Sequence, residues 1–362
     1  MISQADESRL PLAGSESPEE RRLENYLPEY HLVQDWEQLP PEYPHRDVTA
    51  VAVDSHDRVY LFTRFDSRVL VYEPDGRFIR AWGHDTFHTA HGLTIGPDDR
   101  VFCVDAGDHS VRVFTLKGEP IMTIGIPGVE SDTGYDWAPG TPVDVHPVEC
   151  VLHGAGPFNR CTNLAVAPTG ELFVSDGYGN CRVHRFSADG ELIASWGEVG
   201  SGPGEFRLPH GILVDHQGRV LVADRENDRI QLFDYDGNFL EQWTDIQRPC
   251  DMAIDAEGRI YVAELWRPKG KKSFVHGVAE VDHPGRVSIL SPDGQPLARW
   301  TGRPDDRAAP GSFVAPHGIT VDSQGDVYVA EVIYSFAIAP GWVSPEAGDH
   351  QIQKFRANRA MA

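Results

Sequence analysis

The sequence predicts a closed all-β ring of six four-stranded units, and three observations point to it. One motif set recurs six times along the 362 residues. Each of the first five copies holds four short β-rich runs separated by Asp/Gly turns, which is hairpin chemistry. The last copy stops one run short, and a matching run stands near the N-terminus. Four-stranded units repeated radially form the blades of a β-propeller, so the repeats predict one domain and not two.

The copies open at Thr49, His91, Thr162, His210, Cys250 and His317. The first reads "TAVAVDSHDRVYLFTRFDSRVLVYEPDGRFIRAWG", and the third "TNLAVAPTGELFVSDGYGNCRVHRFSADGELIASWG". The fifth is interrupted after "CDMAIDAEGRIYVAEL" and resumes with "GRVSILSPDGQPLARW". The sixth ends at "HQIQKFRA", three strands long. The run Tyr30–Leu39, "YHLVQDWEQL", carries the Trp that closes other copies, so it is expected to supply the missing outer strand. Such closure removes an exposed sheet edge. Residues 1–24 are polar and are expected to form a flexible tail. The propeller is expected over 25–362, with inserts at about 127–160, 267–284 and 335–348. Long loops in a compact array are usually functional or disordered, and these three are expected to roof one face.

Composition narrows the partners. A formal net charge of −23 excludes a phosphate-backbone ligand and disfavours an anionic membrane. No run reaches membrane-span length, and the first residues hold no apolar signal core, so a cytoplasmic location is expected. The five cysteines then read as thiols, with a Cys161–Cys181 bridge the alternative in an oxidising compartment. The sequence leaves the oligomeric state open.

Candidate chemistry comes from comparing registers. The opening position is histidine in the second, fourth and sixth copies alone: His91, His210 and His317. Alternate blades of a six-blade ring lie about 120° apart. The three imidazoles should therefore meet on the axis, leaving an open position as in catalytic zinc sites. The ligand type suits zinc or another first-row divalent ion. Cys250 shares this register and reads as a buried thiol.

The loop after each second strand forms another register, holding Arg64, Arg225, and Gly177 with Tyr178 beside it. Two guanidiniums suit a substrate carboxylate, and a phenol near a cation suits a general base. The alternative is structural, with Arg225 paired to nearby Asp224 or Glu226 and Tyr178 a packing aromatic. The acidic residues just before these positions, Asp105, Asp176, Asp224, Glu264 and Glu331, recur too regularly to be catalytic and should accept turn N–H groups. His88, His146 and His153 lie in connecting segments and are candidates for contacts from a roof.

With "FVSDGYGNCRVHRF", "LPHGILVD", "VADRENDRIQLF" and "APHGITVD", the chain over Asp47–Arg356 resembles the NHL-repeat propellers that include peptidyl-α-hydroxyglycine α-amidating lyase. The resemblance implies zinc on His91, His210 and His317, a base at Tyr178, and important arginines at Arg64 and Arg225. It also implies a structural calcium near the backbone carbonyls of Val51 and Leu93. The chain departs from that pattern at Gly318, where the family lyases have an Asp that helps hold calcium, and at Ala315, where they have Met. The activity implied is cleavage of an N-acyl α-hydroxyglycine-like carbinolamide, a small carboxylate-bearing substrate, to a primary amide and glyoxylate. A metal-dependent hydrolase or lactonase, and a non-enzymatic propeller that binds a protein partner, are the alternatives.

Overall fold

The computed structural model describes residues 30–66, 68–137, 146–303, 306–307, 309–345 and 350–358. The expected tail over 1–24 lies outside the described residues. Six four-stranded antiparallel sheets are present, each with its strands in spatial sequence from the axis outward.

Blade 1 is built from Val48–Val53, Val59–Thr63, Arg68–Tyr72 and Phe78–Trp82. Blade 2 is built from Ala90–Ile95, Val101–Asp105, Ser110–Phe114 and Pro120–Ile124. Blade 3 comprises Cys161–Val166, Leu172–Asp176, Arg182–Phe186 and Leu192–Trp196, and blade 4 Pro209–Val214, Val220–Asp224, Arg229–Phe233 and Phe239–Trp243. Blade 5 comprises Pro249–Ile254, Ile260–Glu264, Arg286–Leu290 and Pro296–Trp300. In blade 6, Pro316–Val321, Val327–Glu331 and Ile352–Ala357 are completed by Tyr30–Val33. Second strands such as Val59–Thr63 and Val220–Asp224 are buried throughout, because both faces of each sheet pack on neighbouring blades. A continuous apolar run is what such a position requires.

Ring closure occurs as the sequence predicted, with Tyr30 opposite Ala357 and Val33 opposite Lys354. The closing strand is shorter than the predicted Tyr30–Leu39. It stops at Val33 because the chain turns at Asp35, whose φ is +50°. The remainder then staples blade 1. Trp36, 4% exposed, donates from Nε1 to Pro74 O at 3.0 Å and packs on Tyr72 and Tyr328. One indole therefore bridges the first and last blades.

The recurring acids behave as the registers predicted. Asp105 accepts from the N–H groups of His88 and Thr89, and Glu331 from those of Val314 and Ala315. Asp176 takes Asn159 N, Asp224 takes Arg207 N, and Glu264 takes Gln247 N. Each buried carboxylate ties the loop entering a blade to that blade's second strand.

All five cysteines are free. Cys161 packs in the core between blades 2 and 3, and Cys181 in the core between blades 3 and 4, so the sheet separates the two thiols. Among the described residues no helix is long and apolar enough to cross a membrane.

Truncating the seam tests the closure. Trp36→Ala should lower stability by about 3–5 kcal/mol in urea unfolding, as for other buried Trp truncations. A loss under about 1 kcal/mol would mean that the ring does not depend on this residue.

Candidate metal centre

Three first strands bring His91, His210 and His317 to the axis at one level. Their ring centroids lie 4.8, 4.9 and 4.7 Å apart, and all three side chains are buried. Each Nδ1 faces a backbone carbonyl of the next blade. His91 reaches Thr162 O at 2.6 Å, His210 reaches Cys250 O at 2.7 Å, and His317 reaches Thr49 O at 2.7 Å. A carbonyl can only accept, so each Nδ1 carries the proton and each Nε2 presents a lone pair to the axis.

Thr49, Thr162 and Cys250 occupy the opening position in the three copies without histidine. Their carbonyls orient the imidazoles from the other three copies, which accounts for the alternation. The glycine after each histidine belongs to the same device. A Cβ on Gly211 would meet Cys250 O at 2.6 Å, and one on Gly92 would meet Thr162 O at 2.6 Å. Only glycine lets the neighbouring backbone come close enough to hold the ring.

The trio fits a divalent metal. Its candidate ligand atoms lie within 4.8 Å of one another, and it is the only such cluster of three or more His, Cys, Asp or Glu among the described residues. Nε2 of His317 is buried with no hydrogen-bond partner, an unsatisfied lone pair that a metal would meet. Carbonyl-oriented neutral imidazoles are the usual support for bound metal. Burial is the largest cause holding all three below the ordinary histidine range. For His91, His317 and then Arg64 add to it, and for His210 Arg225 comes next. His317 is pushed down to about 3, by burial and then Arg64.

Tyr178 is delivered by the loop after the second strand of blade 3. A Cβ on Gly177 would meet Pro209 O at 2.1 Å, so glycine lets this loop lie on the entrance of blade 4. The Tyr178 hydroxyl lies 3.0 Å from His91 Nε2 and 3.2 Å from His210 Nε2. Arg225 Nη1 is 3.5 Å from that hydroxyl, and its guanidinium carbon sits 5.5 Å above the phenol ring. Arg64 belongs to blade 1, opposite blade 4 across the axis, and donates to Ser335 Oγ at 2.8 Å with Asp47 at 3.7 Å. The two arginines thus flank the trio from opposite sides. All six residues singled out from the registers gather at this mouth.

Parts of all three inserts lie around it. The turn Pro147–Cys150 carries His146, whose Nε2 is 3.8 Å from Glu226 and whose ring meets Phe274 of the second insert. That insert is tied to blade 4 by Arg267 and Ser273 on Asp228. In the third insert, the turn Tyr334–Ile338 starts on Asp47. Residues 138–145 and 346–348 of the inserts lie outside the described residues. His88 and His153 are exposed, and neither is among the hydrogen-bond partners of the trio in the described residues.

The ion pair of Arg225 with Glu226, one of the two partners offered by the sequence, is present at 2.9 Å. Sequence reasoning missed two other features. Arg248 shares the Glu226 carboxylate and completes the buried support of Arg225. On the other side of the trio, Asp251 and Asn163 bond across the channel at 2.8 Å. Burial pushes the Asp251 carboxyl up to about 7. Beyond this pair the channel continues as a cavity of about 450 Å³ lined by Val51, Leu93 and the other first strands.

The depressed histidines make acid stability testable. An unfolded chain binds these protons near pH 6.5, whereas the folded one resists them. Stability of the metal-free protein should therefore fall as pH drops from about 6.5 toward the folded values. Urea midpoints at pH 7 and pH 5 should separate more for the native protein than for His317→Ala. Equal separations would show that these imidazoles are not buried neutral.

Comparison with known proteins agrees with the six-bladed fold. The family DUF5128, described as a 6-bladed beta-propeller, matches residues 157–276. NHL repeat-containing protein 3 from Homo sapiens is 30% identical over 84% of this chain and 81% of its own length. Peptidyl-alpha-hydroxyglycine alpha-amidating lyase 1 from Drosophila melanogaster is 29% identical over 79% of this chain and 55% of its own. Among solved structures, a gluconolactonase from Xanthomonas campestris shares the fold at 13% identity and a TM-score of 0.55, covering 87% of this chain and 88% of that one. The chain belongs to the NHL-repeat family of six-bladed β-propellers and is homologous to the peptidyl-α-hydroxyglycine α-amidating lyases.

Proposed function

We propose that the protein is a metal-dependent carbon–nitrogen lyase that cleaves an N-acyl α-hydroxyglycine-like carbinolamide to a primary amide and glyoxylate. The observation that carries this reading is the placement of one phenol, Tyr178, against two of the three imidazoles with a guanidinium beside it. Zinc on the Nε2 atoms of His91, His210 and His317 would supply Lewis-acid polarisation of a substrate hydroxyl.

The remaining steps fall to the chain's own groups. Arg64 and Arg225 add two fixed positive charges around the trio, so the site favours a carboxylate although the whole chain carries −23. Tyr178 Oη, as the phenolate, takes the proton of the α-hydroxyl. The oxygen's electrons form the new C=O bond as the C–N bond breaks, and the departing nitrogen takes that proton back from Tyr178 to give the amide. Alignment of the α-hydroxyl with Tyr178 by the carboxylate grip supplies much of the acceleration.

The five free thiols fit a reducing compartment and hence a small-molecule substrate. The proposal does not include calcium. Gly318 offers no carboxylate, and the acid in that ring of positions is Asp251, engaged by Asn163, Met252 and Ile319.

Zinc-loaded protein should convert α-hydroxyhippurate to benzamide and glyoxylate and leave a lactone panel untouched. Tyr178→Phe should lower kcat by about 10²–10⁴-fold, the usual range for removing a general base. Lactone opening without benzamide release would replace this reading with the hydrolase.

A further inference from the structure

Glu226 stands one residue past Arg225 in the short turn Arg225–Asn227 and is 1% exposed. Its Oε1 accepts from Arg225 Nε at 2.9 Å and from Arg248 Nη2 at 2.8 Å. Arg248 is fixed in turn by Nη1 on Trp266 O at 3.0 Å. From above, His146 Nε2 approaches Glu226 Oε1 to 3.8 Å. One buried carboxylate thus has two guanidiniums and an insert histidine around it. Nothing in the proposed reaction uses it.

We propose that Glu226 is a positioning residue, which turns the Arg225 guanidinium toward Tyr178 and the histidine trio and keeps it apart from Arg248. Guanidinium geometry supports this. Holding Nε from behind fixes the plane of the group and sends its two terminal nitrogens forward, the fork that grips a carboxylate. Without the carboxylate, two buried cations would repel and Arg225 would lose the bond that sets its rotamer. Burial would raise the Glu226 carboxyl, but Arg248 and then Arg225 outweigh it and keep the group ionised. His146 and Phe274 bring the first and second inserts together over this pair, so a roof absent from the repeats themselves closes on the support of Arg225.

The inference rests on the carboxylate-binding part of the proposed function and not on turnover, and the test keeps the two separate. Hippurate has the carboxylate but lacks the α-hydroxyl, so it binds without reacting. Its Kd is measured by calorimetry on zinc-loaded wild type, Glu226→Gln, Arg225→Gln and the double variant. Removing a negative charge would by itself tighten anion binding, so any weakening reports lost orientation. Glu226→Gln is expected to weaken hippurate by about tenfold or more, the scale of a charged hydrogen bond. In the Arg225→Gln background the same change should matter less than about twofold, with zinc stoichiometry equal in all four proteins.

A Kd within twofold of wild type for Glu226→Gln, or an equal loss with and without Arg225, overturns the proposal. If Glu226→Gln fails to fold, Glu226→Asp reads the same coupling, because it keeps the charge and withdraws it by one methylene. Failure to release benzamide while the binding cycle holds counts against the lyase chemistry alone.

Discussion

The site depends on one hydrogen bond made three times: an imidazole Nδ1–H donated to the backbone carbonyl that opens the next blade. It fixes the tautomer, the ring plane and the level of each histidine, and it links successive blades around the axis. The glycine after each histidine exists to allow that approach. Because the bond runs from one blade to the next, the channel site and the sixfold closure are a single construction. A ring that opened at the Tyr30–Val33 seam would lose the Thr49 carbonyl that orients His317.

Three buried imidazoles and two arginines make an unusual interior. Among the described residues no carboxylate pairs with the trio, so it stays neutral and its Nε2 lone pairs converge, those of His91 and His210 on the Tyr178 hydroxyl. This is what a cation requires of its ligands. The carboxylates nearby are assigned elsewhere: Asp47 to the third insert and Arg64, Glu226 to Arg225, and the five from Asp105 to Glu331 to the loops entering blades 2 to 6. Arg64 and Arg225 keep their acidic partners, Asp47 at 3.7 Å and Glu226 at 2.9 Å, while their charges still act on the trio. Tyr178 stands between the trio and Arg225, the position from which the proposed reaction would exchange a proton.

Much of this was legible in the sequence because propeller geometry turns register into position. Once the six copies were aligned, the alternation of His91, His210 and His317 with Thr49, Thr162 and Cys250 placed three side chains on the axis. Arg64, Arg225 and Tyr178 followed from the next register. The closing strand was legible too, although its stop at Val33 was not, since a left-handed Asp35 leaves only a weak signal. The partners of the histidines are carbonyls, which sequence does not display. Glu226 was legible as a partner of its neighbour Arg225, but Arg248 enters from the next blade and meets it only when the loops fold over, so no spacing announces that contact. The inserts have no repeat to be aligned with, and their contacts with Glu226 and Asp47 arise entirely from tertiary packing.

The central claim is that one divalent ion sits on the axis, held by three Nε2 atoms. Anomalous diffraction at the zinc edge, from crystals of zinc-loaded protein, tests it directly. The account predicts a single strong peak shared by His91, His210 and His317, and its disappearance in His210→Ala. A peak elsewhere in the ring, or none at the axis with zinc present in excess, would contradict it.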